Sequence, residues 1–284
     1  MGAQLLEGKV IAAKIKQHLK IELDRLKKDS APKLVSIMVG DNPGAEVYIK
    51  SQKNVADELG IKFDLRRFKG TISQDGLVEV IKGLNNDHTV NGIIVQMPLP
   101  SHIDGKLVSR FISPYKDVEG VHPQNMGEIV FGKAKILPCT AASCMELLDS
   151  IPGLNLYGKE AVVVGHSEIV GKPLALLLLN RFVTTTVCHI ATGERGNLAE
   201  FVKRAEILIV AVGKANLIKG EWIKQDAIVI DVGINRVNGK IVGDVEFDLA
   251  RQRASYITPV PGGVGPLTVA ILMKNLVEAY KLQQ

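Results

Sequence analysis

The chain has little with which to staple itself or hold a metal. Its 284 residues include three cysteines, Cys139, Cys144 and Cys188, too few and too scattered for a disulfide framework. No C-x-x-C pair is present, so a structural zinc is not expected and no metal site is assigned. No apolar run approaches the ~20 residues of a membrane span, which argues against a membrane partner. The opening MGAQLLEGKVIAAKIK carries charge early and lacks the apolar core of a secretory signal. Position 6 is Leu6, not the Ser or Thr of a myristoylation pattern. By elimination, a cytoplasmic location is expected. Internal repeats and low-complexity segments are also lacking. Lys and Arg exceed Asp and Glu by 35 to 30, but no basic run is flanked by aromatics. Nucleic acid is therefore not expected, and a small anionic ligand suits the net charge of +5 better.

What is there is ordinary for a globular enzyme: 46% hydrophobic and 23% charged residues, on a chain long enough for one or two domains. The first half alternates two periodicities. Apolar residues at helical spacing over 10–28 (Ile11, Ile15, Leu19, Leu23, Leu26) predict a helix. KLVSIMVG (33–40) predicts a strand and DNPG (41–44) a turn. A helix over 45–59 stops at Gly60, and KFDLRRF (62–68) alternates as a strand does. A helix over 75–84, the strand GIIVQM (92–97) and a short helix at 103–112 complete this half.

The second half has four strand candidates, AVVVG (161–165), TTTVCH (184–189), ILIVAVG (207–213) and AIVIDVG (227–233). Three are nearly continuous apolar runs, as strands buried on both faces tend to be. Helices fit 170–180 and 197–205, a fifth strand fits 255–260, and a C-terminal helix fits 266–282. This β-α order predicts an α/β fold with parallel sheets, and the loop-helix-loop stretch 140–158 is the best hinge.

VVVGHSEIVGKP (162–173) reads as strand, tight glycine turn and helix start, where a Rossmann unit seats a pyrophosphate. The spacing is G-x-S-x-x-x-G instead of G-x-G-x-x-G, so a bare strand-to-helix turn stays open as an alternative. The second strand of this half ends in TTTVCHIATGER, with no acid immediately after it to bond a ribose 2′-hydroxyl. His166, Lys172 and Arg195 could instead surround a 2′-phosphate, which favours NADP over NAD. Polar segments also fall at strand ends or loops, where α/β proteins build sites: VYIKSQK (47–53), VQMPLP (95–100), KDVEGVHP (116–123) and TPVPGGVGPLT (258–268).

Taken together and in order, VGDNPGAEVYIKS, VQMPLP, KDVEGVHPQNMG, PCT, VVVGHSEIVGKP, VIDVGIN and SYITPVPGGVGPLTVA closely resemble the bifunctional methylenetetrahydrofolate dehydrogenase/methenyltetrahydrofolate cyclohydrolase family. The resemblance implies a folate-binding catalytic domain over 1–145, with 266–284 packing back on it, and a Rossmann-like NADP-binding domain over 146–265. It implies tetrahydrofolate derivatives as substrates, NADP (or NAD) as cofactor, and a homodimer. Tyr48 matches a tyrosine that packs on the folate, Gln96 a glutamine that orients a catalytic lysine, and Glu119 an aspartate that holds the pterin. Val95, Pro98 and Leu99, with Pro261, Gly262 and Gly263, match further substrate-binding positions. Gly165, His166, Ser167, Val170, Lys172 and Pro173 match the cofactor turn. His189, Ile190 and Arg195, then Val212, Gly213, Ile234 and Thr268, match the rest of the cofactor site.

This chain departs from the pattern in two chemically important places. The family's catalytic lysine lies four residues after the tyrosine, and that position is Gln52. An amide can donate a hydrogen bond but cannot carry a proton as general acid or base. Lys50 and Lys53 lie ~200° and ~140° round a helix from Tyr48, too far to stand in. The aspartate is lengthened to Glu119, and Ala141, Ala142 and Ser143 follow PCT where the family usually has Pro and Gly. The expectation is a retained dehydrogenase with a weak or absent cyclohydrolase. A catalytically lapsed folate- and nucleotide-binding protein of the same fold is an alternative, as is another Rossmann oxidoreductase acting on a different small acid.

Overall fold

A computed structural model describes residues 2–25 and 31–284. In chain order the first half holds β1 (Gln4–Leu5), α1 (Gly8–Leu23), β2 (Lys33–Val39), α2 (Pro43–Leu59), β3 (Lys62–Phe68), α3 (Gln74–Asn86), β4 (Gly92–Val95), α4 (Gly105–Ser109), α5 (Pro123–Val130) and α6 (Cys139–Asp149). The second half holds β5 (Glu160–Val164), α7 (Gly171–Leu179), β6 (Thr184–Cys188), α8 (Ile190–Glu194), α9 (Leu198–Arg204), β7 (Ile207–Val210) and β8 (Ile228–Asp231). The hairpin β9 (Asn235–Val237) and β10 (Lys240–Val242) follows, then α10 (Phe247–Arg253), β11 (Tyr256–Ile257) and α11 (Val264–Leu282). The expected alternation is present. The first helix ends at Leu23, short of 28, while Leu26 and Lys28 lie outside the described residues. Sequence reading passed over β1, α5, α8, α10 and the hairpin, all short.

The chain divides into two compact units, 14–139 with 269–284, and 1–13 with 140–268. In the first, three parallel strands lie in the order β3-β2-β4. The central β2 is flanked on both sides, and six of its seven residues are buried. Its alternate residues face two layers. Leu34 packs with Ala56 and Leu59 of α2 and with Leu272 and Leu276 of α11. Val35, Ile37 and Val39 pack on Leu77 and Ile81 of α3. Helix α11 is tied in by Asn275, whose Nδ2 donates to the carbonyls of Val118 and Leu137 at 2.8 Å each.

The second unit is a six-stranded parallel sheet in the order β1-β11-β8-β7-β5-β6. The first thirteen residues, expected with the N-terminal domain, group here because β1 extends this sheet: Gln4 pairs with Tyr256 and Leu5 with Ile257. Strands β7 and β8 are buried throughout, as their apolar runs require. From β5 the chain winds first to β6 on one side and then to β7 on the other. That reversal leaves a crevice outside the carboxyl ends of the strands, the usual ligand position in open α/β sheets. No helix among the described residues is long and apolar enough to cross a membrane.

Candidate active site

Helix α2 places the first group of residues. Asn42 caps it, accepting the Ala45 amide at 3.0 Å, and Pro43 stands in the first turn, where its missing N–H costs nothing. Tyr48 and Gln52 are four residues apart and share one face. Tyr48 is half-buried against the core under the helix, and Gln52 is fully buried. The third residue, Gln96, follows the last residue of β4 and is fixed by its amide donating to Ile37 O at 2.9 Å. Its side-chain Nε2 donates to Ser36 Oγ at 3.0 Å and to Gln52 Oε1 at 3.1 Å. Ser36 lies on the α2 side of β2, so strand pleat and helix period together assemble a buried Ser36–Gln96–Gln52 chain.

Gln52 Nε2 is left without a hydrogen-bond partner among the described residues. Turning both amides over keeps the contacts and strands the Gln52 carbonyl oxygen instead. Either way one polar atom is buried unsatisfied, which typically costs about 1–3 kcal/mol. The neighbouring lysines do not fill the gap: Lys50 is exposed, and exposed Lys53 pairs with Asp57 at 2.6 Å. Lys116 is buried, but its Nζ is committed to the carbonyls of Leu84, Asn85 and Asp87 at the end of α3.

Tyr48, Val95, Gln96, Pro98 and Glu119 line one hollow of about 290 Å³, together with Asn42, Gly44, Ala45 and Met97. Five of the substrate-site positions named from sequence are therefore brought together. Leu99 is not among them and packs against the α3 side of the sheet. Gln52 sits behind the hollow, reaching it through Gln96. Pro261, Gly262 and Gly263 belong to the other unit. There a Cβ on Gly263 would meet Thr258 Cβ at 2.7 Å.

Glu119 carries the strongest electrostatic signature in the hollow. Burial, reinforced by neighbouring Asp117, pushes its carboxyl up to about 8, so it is protonated at neutral pH. Asp117 is raised by burial too, opposed by bonds from the His122 amide at 2.7 Å, Asn125 Nδ2 at 2.9 Å and the Gly120 amide at 3.1 Å. Asp117 thus fixes the loop that presents Glu119. Neither it nor Ser36 was singled out from sequence, although KDVEGVHP contains the first.

The cofactor candidates collect at the carboxyl ends of four neighbouring strands. After β5, Gly165 has φ +122°, and a Cβ there would meet Ala211 O at 2.3 Å. A Cβ on Gly171 would meet Gly165 O at 2.0 Å. These two glycines let turn, strand and helix close on one another, as in dinucleotide-binding turns. Helix α7 begins without a side-chain cap: the Lys172 amide donates to Ser167 O at 3.0 Å, Pro173 has no N–H, and the Leu174 amide begins the helical bonding to Val170 O at 2.9 Å. Ser167 Oγ accepts the Val170 amide at 3.2 Å, while Val170 and Pro173 are buried and shape the turn from beneath. His166 lies 5.4 Å from His189, ring to ring, at the end of β6. Arg195 closes α8 and is exposed. Lys172 is exposed, with Glu168 3.9 Å away. Ile190, Val212 and Ile234 are exposed aliphatics on the same rim, 76%, 38% and 67% accessible. Solvent-facing aliphatic side chains at these strand ends suit the face of a flat aromatic ligand. Thr268, in α11, donates its hydroxyl to Gly265 O at 2.8 Å. Among the described residues no cluster of three metal-binding side chains occurs.

Comparison with known proteins agrees with both halves. Residues 6–119 match the family model described as tetrahydrofolate dehydrogenase/cyclohydrolase, catalytic domain. Residues 138–284 match its NAD(P)-binding domain. A bifunctional protein FolD from Acetivibrio thermocellus is 51% identical over 100% of this chain and 99% of its own length. The crystal structure of a bifunctional FolD dehydrogenase/cyclohydrolase from Campylobacter jejuni superposes with a TM-score of 0.95 at 44% identity, covering 99% of this chain and 100% of that one. A Trypanosoma brucei relative, solved with NADP and an inhibitor, gives 0.93 at 37% identity over 99% of this chain and 98% of its own.

Proposed function

Since this chain belongs to the tetrahydrofolate dehydrogenase/cyclohydrolase family of enzymes, we propose that it oxidises 5,10-methylenetetrahydrofolate to the 5,10-methenyl cation with NADP and hydrolyses that cation weakly or not at all. The two steps make different demands. Hydride transfer needs the folate carbon held against the nicotinamide, which is largely a matter of placement. Hydration adds water to the cation and needs a group to take and return protons as the ring opens to 10-formyltetrahydrofolate, help typically worth about 10²–10⁴-fold.

In this reading Tyr48 packs on the pterin and Gln96 lies along the folate at the floor of the hollow. Glu119 faces the pterin edge. With its proton on at neutral pH it offers one donor and one acceptor, a match for a lactam edge, which also presents one of each. The observation that carries the proposal is Gln52, buried against Gln96 where a proton-carrying lysine is expected, with Lys50 and Lys53 at the surface. The unpaired amide atom of Gln52 supports a ligand group or water beside it.

On the cofactor side, the close Gly165–Gly171 turn suits the approach of a pyrophosphate. NADP, when bound, supplies the hydride acceptor. The side chains of His166, Lys172 and Arg195 offer hydrogen-bond donors for its 2′-phosphate, so NADP should be preferred and NAD accepted less well. His189, Ile190, Val212, Gly213 and Ile234 line the remaining length. The proposed assembly is a homodimer in the cytoplasm. Edge strand β6, with Val187 37% exposed, offers an unpaired rim for a second copy.

The test supplies methylenetetrahydrofolate with NADP and, separately, with NAD, following reduced cofactor and methenyl product together. Reduced NADP forming in step with methenyl product supports the reading. No reduction of either cofactor would favour the lapsed binding protein, which the buried Gln52 also suits.

A further inference from the structure

Away from the hollow, the most heavily engaged buried carboxylates are Asp231 and Asp244, both nearly inaccessible. They are linked in a crossed arrangement. Asp231, at the end of β8, accepts the amides of Gly233 at 2.9 Å and Asp244 at 3.0 Å on Oδ1, and that of Val245 at 2.9 Å on Oδ2. It thereby holds the segment that carries Asp244. Asp244 in turn accepts the amides of Val212 at 2.8 Å and Gly213 at 2.9 Å on Oδ2, and Asn235 Nδ2 at 2.8 Å on Oδ1. Each carboxylate also presses on a glycine beside the other. A Cβ on Gly243 would meet Asp231 Oδ2 at 1.9 Å, and one on Gly233 would meet the Asp244 carboxyl at 2.2 Å.

This pair is more than core filling, because of what it grips. Val212 and Gly213 form the rim after β7, and Ile234 lies between Gly233 and Asn235 on the rim after β8. The last main-chain bond between the two strands is Val232 N to Val210 O at 2.8 Å, and beyond it Val212–Gly213 and Gly233–Ile234 lie outside helix and strand. One carboxylate spans them, accepting two successive amides from the first rim and the side-chain amide of Asn235, the residue that follows Ile234 and begins β9. Hydrogen bonds to a charged acceptor are the strong class, and their low-dielectric surroundings stiffen them further.

We propose that Asp244, backed by Asp231, is a positioning residue that locks the β7 and β8 rims into one wall for the nicotinamide end of the cofactor. This rests on the reading that a dinucleotide lies along that rim. Removing the carboxylate frees Val212–Gly213 and Ile234 to move independently. Cofactor binding should suffer while folate binding does not.

The test combines three variants with steady-state kinetics, dinucleotide titration and thermal melting. Asp244→Ala should raise KM for NADP at least about tenfold, with KM for methylenetetrahydrofolate within about twofold of the parent. Asn235→Asp sets carboxylate against carboxylate and should raise KM for NADP similarly. The swap Asn235→Asp with Asp244→Asn restores donor against acceptor and should recover most of the loss, which also decides the matter if Asp244→Ala does not fold. A lower melting temperature with unchanged KM for NADP in folded Asp244→Ala, or a folded swap no better than Asn235→Asp alone, would overturn the proposal. A parent chain that binds neither NADP nor NAD on titration would instead overturn the cofactor reading beneath it.

Discussion

At residue scale the account turns on two substitutions, and both have measurable consequences. Gln52→Lys puts an amine one turn from Tyr48, in reach of Gln96. It should raise hydrolysis of methenyltetrahydrofolate by about 10²–10⁴-fold while changing dehydrogenase kcat much less, as stopped assays of each step would show. Glu119 makes a prediction about stability. A free glutamate carboxyl titrates near 4.5 and this one at about 8, so the folded state binds its proton more tightly. Its contribution to stability is complete below pH 4.5 and is lost as pH rises through 8. Glu119→Gln, neutral throughout, should match the parent at pH 4 and exceed it progressively above. Because the residue is only part-buried by exposure, water screens the effect, and the gain should level off at about 1–3 kcal/mol above pH 8 in denaturant titrations. Both positions were legible in the sequence because the flanking segments fixed their register. The Gln52–Gln96–Ser36 chain was not, since it depends on a strand pleat and a helix face meeting across ~44 to 60 residues of chain.

At the scale of elements, the geometry of the hollow is set by how α2 begins. Asn42 caps the helix that carries Tyr48 and Gln52, and Asn42 itself lines the hollow. Asn42→Ala should cost about 1 kcal/mol in urea unfolding and raise KM for the folate by fraying the first turn beneath Tyr48. The long strands and helices were readable from periodicity because their faces are continuously buried. The short ones failed for identifiable reasons. Helices α8 and α10 have five and seven residues, too few for a helical period to register. The β9–β10 hairpin did carry a signal: its turn is Asn238–Gly239, with φ of +50° and +77°, the pairing that favours tight hairpins. Lys116 shows the opposite risk. Its position in KDVEGVHP invites a chemical reading, yet its Nζ donates to three carbonyls at the carboxyl end of α3, and burial lowers its pKa.

For the whole molecule, the division of labour follows chain topology. One unit supplies the hollow with its buried amides and its protonated acid. The other supplies a parallel sheet whose winding reverses at β5 and whose strand ends gather glycines, cations and exposed aliphatics. If His166 and Arg195 mark the 2′-phosphate position, His166→Ala with Arg195→Ala should raise KM for NADP about tenfold or more and leave KM for NAD within about twofold, narrowing the preference between them. The two-unit organisation was visible in the sequence, but the attachment of residues 1–13 to the second unit was not. A two-residue strand pairing with a segment ~250 residues later leaves no periodic trace.

The central claim is that this chain makes the methenyl cation but does little to open it. The most direct measurement mixes purified 5,10-methenyltetrahydrofolate with the protein, without dinucleotide, and follows loss of the methenyl absorbance beside a protein-free control and the Gln52→Lys variant. The account predicts decay near the control rate with the parent chain and a marked acceleration with the variant. Parent protein that forms 10-formyltetrahydrofolate well above the control rate would contradict it.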